Sequence, residues 1–255
     1  MSVLDLPTRE SRISRLGWQA LNALQLAFTA AWTAALILPA LAVRAIAGQA
    51  AALRMASRVW APGLLLGAGA ALRIEGLEFV DWSQPLILVS NHQSMIDVCA
   101  LFRAVPAPLR FVMKRELSAV PVVGLYAKTM GMVFLDRANA RKARDELLSA
   151  ADALRTGAAF CAFPEGTRSR DGRVGAFKGG PFQLAIAAGV PVVPVAIDGS
   201  GAVLPANGFR VRPGTIRVSF GAPLPTAGLP PEERRALAAR AQDAVTALHA
   251  AQRSS

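Results

Sequence analysis

Apolar and polar positions divide this chain of 255 residues into two regimes. From Leu16 to Val43 there is no charged residue, a run of 28 positions, and onward to Leu72 the only charges are Arg44, Arg54 and Arg58. About 20 apolar residues suffice to cross a bilayer. The run is diluted at its start by Gln19, Asn22, Gln25 and Thr29, and Pro39 is expected to kink or end a helix there. Arg9, Arg12 and Arg15 precede the run and Arg44, Arg54 and Arg58 follow it, so the positive-inside bias orients no single span. Basic flanks on both sides suit a helical hairpin that enters one leaflet and returns, or lies in the interface. A secretory leader cleaved near Ala45-Ile46-Ala47 is countered by the length of the run and by Arg44 beside the site. A buried core helix is countered by the same length. The pattern therefore predicts a membrane-associated helical region over 1–71 and an α/β domain over 72–255.

After Arg73 the period changes. Leu72 to Phe79 alternates like a strand with a turn, and Pro85 to Val89 is a short, wholly apolar run that reads as a buried strand. Ile96 to Phe102 predicts a helix ended by Pro106 and Pro108, Arg110 to Lys114 a strand, Val122 to Met130 a helix, and Met132 to Leu135 a strand. Between Asn139 and Arg155, the residues Ala143, Leu147, Ala151 and Leu154 share one helical face, with Gly157 as a stop. Ala158 to Phe163 is another buried strand. Pro181 to Ala188 predicts a helix stopped by Gly189, Val190 to Ile197 a buried strand, and Thr215 to Phe220 a late strand. From Pro231 an amphipathic helix turns Leu237, Ala241, Val245 and Leu248 inward, which puts His249 on its polar flank beside Gln242 and Arg253, as a solvated surface residue. Strands alternating with helices imply a mainly parallel sheet covered by helices on both faces. No internal repeat is visible.

Composition narrows the classes. The formal charge is +11 and 53% of the residues are hydrophobic. A basic chain can meet nucleic acid, an anionic membrane or a phosphorylated substrate. With a single Tyr126, dispersed cations and no nucleic-acid motif, nucleic acid is set aside and the membrane surface is favoured. Cys99 and Cys161 both stand in apolar surroundings and form no disulfide framework, which fits a reducing compartment. Two histidines and two separated cysteines offer no metal-ligand spacing.

The chemistry centres on Asn91-His92-Gln93-Ser94-Met95-Ile96-Asp97. A histidine suits proton abstraction from a hydroxyl, and a nearby carboxylate can fix its tautomer. Five positions along one continuous helix are about 140° apart, so the pair would diverge. The two meet if His92 lies in the loop after the 85–89 strand and Asp97 in the first turn of the following helix. That junction is where open α/β sheets place their active sites. Alone the pair is a weak signal, since such a spacing arises by chance.

Other polar clusters also follow strands. In Phe163-Pro164-Glu165-Gly166-Thr167-Arg168-Ser169, Gly166 permits close backbone approach, Thr167 donates a hydroxyl, and Arg168 can grip a phosphate. Glu165 can accept from a substrate hydroxyl or orient an arginine. Phe134-Leu135-Asp136-Arg137 is followed by Arg141, Lys142 and Arg144, either a solvated face or a basic rim. Lys114-Arg115-Glu116 and Phe177-Lys178-Gly179-Gly180 add cations at further strand ends and before a helix. Such sites beside a His-Asp pair suggest a phosphorylated substrate whose hydroxyl is activated.

These blocks resemble the glycerolipid acyltransferases, and within them the bacterial lysophosphatidic acid acyltransferase type. Asn91-His92 to Asp97 is similar to their H-x-x-x-x-D motif. Lys114 to Gly124 with Gly131 to Arg137 is similar to their second block, Phe163 to Ser169 to their third, and Val190 to Val195 to their fourth. The four stand in family order across roughly 72–220. The resemblance implies a membrane enzyme with an α/β fold and an N-terminal helical hairpin. It implies an O-acyltransferase that moves an acyl group from acyl-CoA or acyl carrier protein, as co-substrate, to 1-acyl-sn-glycerol-3-phosphate, giving phosphatidic acid. His92 would be the general base and Asp97 its orienting partner. Lys114, Arg137 and Arg168 would hold the phosphate, with Glu165, Gly166 and Thr167 shaping the site. The Val190 to Val195 block would serve packing or acyl-chain contact. No cofactor or metal is implied, and the expected location is the inner (cytoplasmic) membrane with the site on the cytoplasmic face. Alternatives are another lysolipid acceptor such as lyso-ornithine lipid, a thioester hydrolase in which His92 activates water, and a non-catalytic lipid-binding protein.

Overall fold

The computed structural model describes residues 12–119, 123–135, 149–155 and 159–254. Helix α1 (Arg12–Ala47) carries the apolar run, and Pro39 lies inside it without ending it. Proline costs a helix one N–H donor, here the one for the Ala35 carbonyl, and the surrounding turns continue past that gap. Gly48, at φ +83°, reverses the chain into α2 (Gln49–Met55), a π-helical turn (Ala56–Trp60) and α3 (Ala61–Gly67).

These pieces run back along α1 and make a hairpin. Trp32 Nε1 donates to the Trp60 carbonyl at 3.1 Å, and Trp60 Nε1 donates to Thr33 Oγ1 at 3.2 Å. A Cβ on Gly63 would sit 2.4 Å from the Trp32 indole, and one on Gly67 would sit 2.4 Å from the Phe28 ring. Glycine is thus what lets two aromatic side chains of α1 pack directly against α3. Asn22 and Trp18 of α1 turn toward the protein: Asn22 Oδ1 accepts the Val211 N–H at 2.7 Å, and nearby Arg212 lies 3.7 Å over the Trp18 ring. The opposite side is apolar and bare, with Leu38 74% and Ile46 87% exposed. Residues Leu16–Ala47 form a helix long and apolar enough to cross a membrane by length and composition.

The sheet has seven strands: β1 (Ala70–Glu75), β2 (Leu86–Ser90), β3 (Leu109–Lys114), β4 (Val133–Leu135), β5 (Ala159–Ala162), β6 (Val192–Asp198) and β7 (Gly214–Phe220). Their spatial order is β1-β7-β6-β2-β5-β3-β4. All neighbours are parallel except β6 and β7, so β7 and β1 run against the other five. The mainly parallel mixed sheet expected from the sequence is therefore present. β2 is buried on both faces: Leu86 and Leu88 join a core with α1–α3 and α4 (Ile96–Ala104), while Ile87 and Val89 join a second core. That second core contains α6 (Gly180–Ala188) and the start of the C-terminal helix α8 (Arg234–Ser254). Before α6 in sequence lies α5 (Val123–Thr129), and between α6 and α8 lies the short α7 (Ser200–Val203).

The consequence for function is topological. The loop after β2 leads to α4 on one face, and the loop after adjacent β5 leads to α6 on the other. Neighbouring strands whose connections depart to opposite faces leave a crevice at their C-terminal ends. Both prominent motifs of the sequence emerge there. Of the helix expected over 139–155, residues 149–155 are helical with Ala151 and Leu154 fully buried, and the rest lies outside the described residues.

One expectation on α8 is corrected. His249 is not a solvated flank residue but is only 6% exposed, continuing the buried stripe of Ala241, Val245 and Gln252. At i+4 from Val245 it is as close to the inward direction as Leu248 at i+3. Its polar sequence neighbours mislead because its inward partners are themselves polar.

Candidate active site

The β2–α4 loop is tied down at nearly every residue. Asn91, 1% exposed, extends the β2–β6 ladder with its side chain: Nδ2 donates to the Ile197 carbonyl and Oδ1 accepts the Ile197 N–H, each at 2.8 Å. Ser94 Oγ donates to the Leu204 carbonyl at 2.6 Å, which employs the hydroxyl structurally. Asp97 stands in the first turn of α4 and is fully buried. Its Oδ2 accepts the Gln93 and Ser94 N–H groups at 2.8 Å each and lies 2.8 Å from His92 Nδ1.

That geometry assigns the proton on the imidazole. An oxygen already accepting two backbone N–H groups is an acceptor toward Nδ1 as well, so Nδ1 carries the hydrogen and Nε2 presents its lone pair. Among the described residues Nε2 has no hydrogen-bond partner. The side chain is 13% exposed, and it lines a cavity of about 1420 Å³. Beneath the ring lies Phe163, stacked at 3.9 Å between centroids and 14° between planes, with Phe111 behind it at 6.1 Å.

The loop after β5 clamps the backbone of His92. Glu165 Oε1 accepts the His92 N–H at 3.0 Å, and the Ser169 N–H donates to the His92 carbonyl at 2.7 Å. Glu165 is 6% exposed, and burial raises its pKa against the opposing pull of the His92 and Gly175 N–H groups. The sequence suggested that Glu165 accepts from substrate or orients an arginine; the structure gives it a third role, fixing the loop that carries His92. Gly166, at φ +74°, closes the tight turn in which its N–H bonds the Phe163 carbonyl.

His92, Lys114, Gly166, Thr167 and Arg168 all line the one cavity. Arg137, with Arg141, Lys142 and Arg144, falls outside the described residues. Sequence reasoning missed the far wall: Leu36, Ile37 and Ala40 of α1, with Leu53, Met55 and Trp60, enclose the same cavity. Their apolar character had been attributed wholly to membrane contact. It also missed Arg234, at the start of α8. The Val192–Asp198 strand is core, and no residue of the Val190 to Val195 block lines the cavity, which favours its packing role.

Chemically, a partly covered imidazole with a free Nε2 can take a proton from a group held in the cavity. Neither cysteine can serve as nucleophile there. Burial pushes the Cys99 thiol up to about 12 and raises Cys161 further, so neither forms a thiolate near neutral pH. Among the described residues no group of three or more His, Cys, Asp or Glu could hold a metal ion.

Residues 71–198 match the acyltransferase family. The chain is 35% identical over 176 residues to a 1-acyl-sn-glycerol-3-phosphate acyltransferase of Pseudomonas aeruginosa, covering 69% of this chain and 67% of that protein. It is 37% identical over 155 residues to a chloroplastic 1-acyl-sn-glycerol-3-phosphate acyltransferase of Arabidopsis thaliana. That match takes in 60% of this chain but only 43% of the plant protein's length. The crystal structure of the 1-acyl-sn-glycerophosphate acyltransferase PlsC from Thermotoga maritima superimposes with a TM-score of 0.78 at 26% identity, covering 93% of this chain and 98% of that one.

Proposed function

The chain belongs to the acyltransferase family, and from that premise we propose that it transfers a fatty acyl group from acyl-CoA or acyl carrier protein to 1-acyl-sn-glycerol-3-phosphate, giving phosphatidic acid. The observation that carries this reading is the Asp97–His92 pair, with Nε2 unpartnered among the described residues, beside a cavity that Lys114, Thr167 and Arg168 also line. The acceptor's free hydroxyl gives its proton to His92 Nε2 as its oxygen attacks the thioester carbonyl carbon. Asp97 stabilises the imidazolium that forms. The tetrahedral intermediate then expels the thiolate, the C–S bond breaks, and the imidazolium returns the proton to sulfur. No acyl-enzyme is required. Arg168 and Lys114, with Arg137, hold the phosphate, and Gly166 and Thr167 shape its site while Glu165 holds His92 in place. The apolar wall between α1 and the sheet receives acyl chain.

The bare apolar face of α1 supports membrane attachment, in which the N-terminal helical region enters one leaflet and the α/β domain rests on its surface. The net charge of +11 suits the anionic cytoplasmic leaflet of the inner membrane. The test is product analysis with labelled acyl-CoA and a panel of lysolipids. Labelled phosphatidic acid from 1-acyl-sn-glycerol-3-phosphate is the expected result. Product only from a phosphate-free lysolipid, such as lyso-ornithine lipid, would overturn the acceptor, and release of free fatty acid alone would make the protein a hydrolase.

A further inference from the structure

Behind the catalytic loop, away from the cavity, lies a buried polar cluster that the proposed chemistry does not use. Gln93, 5% exposed, points its side chain at α8, where its amide nitrogen is 3.1 Å from His249 Nε2. The same His249 nitrogen is 3.3 Å from Asp198 Oδ1, at the end of β6. Asp198 Oδ2 in turn faces the Arg217 guanidinium of β7 at 3.8 Å. One turn on, Gln252 Nε2 donates to Ser219 Oγ at 2.8 Å and to the Ala196 carbonyl at 3.3 Å, pinning this end of α8 to the sheet. His249 is thus mounted on a fixed post and aimed at the residue next to His92.

We propose that His249 is a positioning residue for the His92–Asp97 pair: its Nε2 holds the Gln93 side chain, and the Gln93 backbone N–H holds the Asp97 carboxylate against the His92 ring. The inference rests on the catalytic reading of His92. One nitrogen faces two partners, and its protonation chooses between them. Neutral at Nε2, it accepts the Gln93 amide N–H. Protonated, it gives that hydrogen to Asp198 and meets Gln93 donor to donor, so the tether is lost. Burial and Arg253 on the same helix lower the His249 pKa, Asp198 opposes them, and Arg217 draws on Asp198. The ring is therefore uncharged near neutral pH, and its Nδ1–H tautomer, with the Nε2 lone pair toward Gln93, is the tethered state.

The experiment uses the full chain in lipid-containing micelles and compares His249→Ala, His249→Gln, Gln93→Ala and the Gln93→Ala/His249→Ala double variant. His249→Ala should lower kcat about tenfold, the equivalent of losing one buried hydrogen bond at the transition state, with KM within about twofold. His249→Gln, whose amide oxygen can accept from Gln93, should restore most of the rate. The double variant should be no slower than Gln93→Ala, because the two side chains act as one unit. Wild type should show a step in the acid limb of kcat that His249→Gln lacks. Additive losses, a loss carried by KM, a His249→Gln variant as slow as His249→Ala, or an unchanged acid limb would each overturn the proposal. With only two histidines in the chain, ¹⁵N-histidine labelling of His249→Gln and His249→Ala reports on His92 alone. The His92 Nδ1–H resonance should be retained in the first and shifted or broadened in the second; identical spectra would refute positioning. That readout needs no substrate, so a wild type inactive on the lysolipid would sink the functional reading without deciding this one.

Discussion

Asp97→Asn isolates the charge of the carboxylate from its geometry. Oδ2 accepts three donors at 2.8 Å, from His92 Nδ1, Gln93 N and Ser94 N. An amide group in its place cannot point its NH₂ at three donors, so the carbonyl oxygen must turn inward and the loop keeps its shape. What is lost is negative charge opposite an imidazole that becomes cationic in the transition state. Hydrogen bonds to ionised groups are about twice as strong as neutral ones, and a charge pair near 4 Å contributes up to about 4 kcal/mol at intermediate dielectric. A loss of roughly 2–3 kcal/mol lowers kcat about 30- to 150-fold, with KM within about twofold. The assay is steady-state acyl transfer across a range of acceptor concentrations, with a thermal melt to verify folding. Asp97→Ala should do worse, because it also strands two buried N–H donors. A folded Asp97→Asn variant with wild-type kcat would refute stabilisation of the imidazolium by Asp97, as would a loss confined to KM.

Glu165→Gln should retain most activity, since its carbonyl oxygen still accepts the His92 N–H, whereas Glu165→Ala should cost about 1–3 kcal/mol through stranded donors; equal activities would dismiss the clamp. Because burial raises the Glu165 pKa above its ordinary 4.5, the folded protein binds the proton more tightly than the unfolded chain. The resulting stability is full below pH 4.5 and is lost as pH rises through the raised value, so melting curves of Glu165→Gln should lack that decline. Gly63→Ala places a methyl 2.4 Å from the Trp32 indole and should destabilise by roughly 1–3 kcal/mol; an unchanged melting temperature would contradict the close α1–α3 contact. Replacing Leu24, Leu38 and Ile46 together by Asp should abolish co-sedimentation with anionic vesicles, and undiminished sedimentation would count against membrane contact by that face.

Much of this architecture was legible because period and burial are local signals. The central strands β2 and β5 are short apolar runs, and both reactive loops could be placed at strand ends. The meeting of His92 and Asp97 was legible only as a condition, with His92 in the loop and Asp97 in the first turn of the helix, and the structure meets it. What stayed hidden depends on chain segments far apart in sequence. Nothing near Glu165 says that its carboxylate will reach the His92 backbone, because that contact exists only through the adjacency of β2 and β5. The α1 residues read as purely membrane-facing because a cavity wall and a lipid-facing surface demand the same side chains. His249 read as exposed because its polar neighbours were visible while its partners Gln93 and Asp198, 156 and 51 positions away, were not. The antiparallel turn of β7 against β6 left no periodic trace either, since strand direction does not alter the apolar pattern.

The central claim is that His92 Nε2 takes the proton of a lysolipid hydroxyl and no protein nucleophile intervenes. It is tested most directly by single-turnover acyl transfer from labelled acyl-CoA to 1-acyl-sn-glycerol-3-phosphate, comparing wild type with His92→Ala in the same vesicles. A general base contributes typically about 10²- to 10⁴-fold, so the rate of labelled phosphatidic acid formation should fall by that order in the folded variant, and no label should become covalently attached to either protein. Product formed at the wild-type rate by His92→Ala, or a labelled acyl-enzyme that turns over in wild type, would contradict the claim.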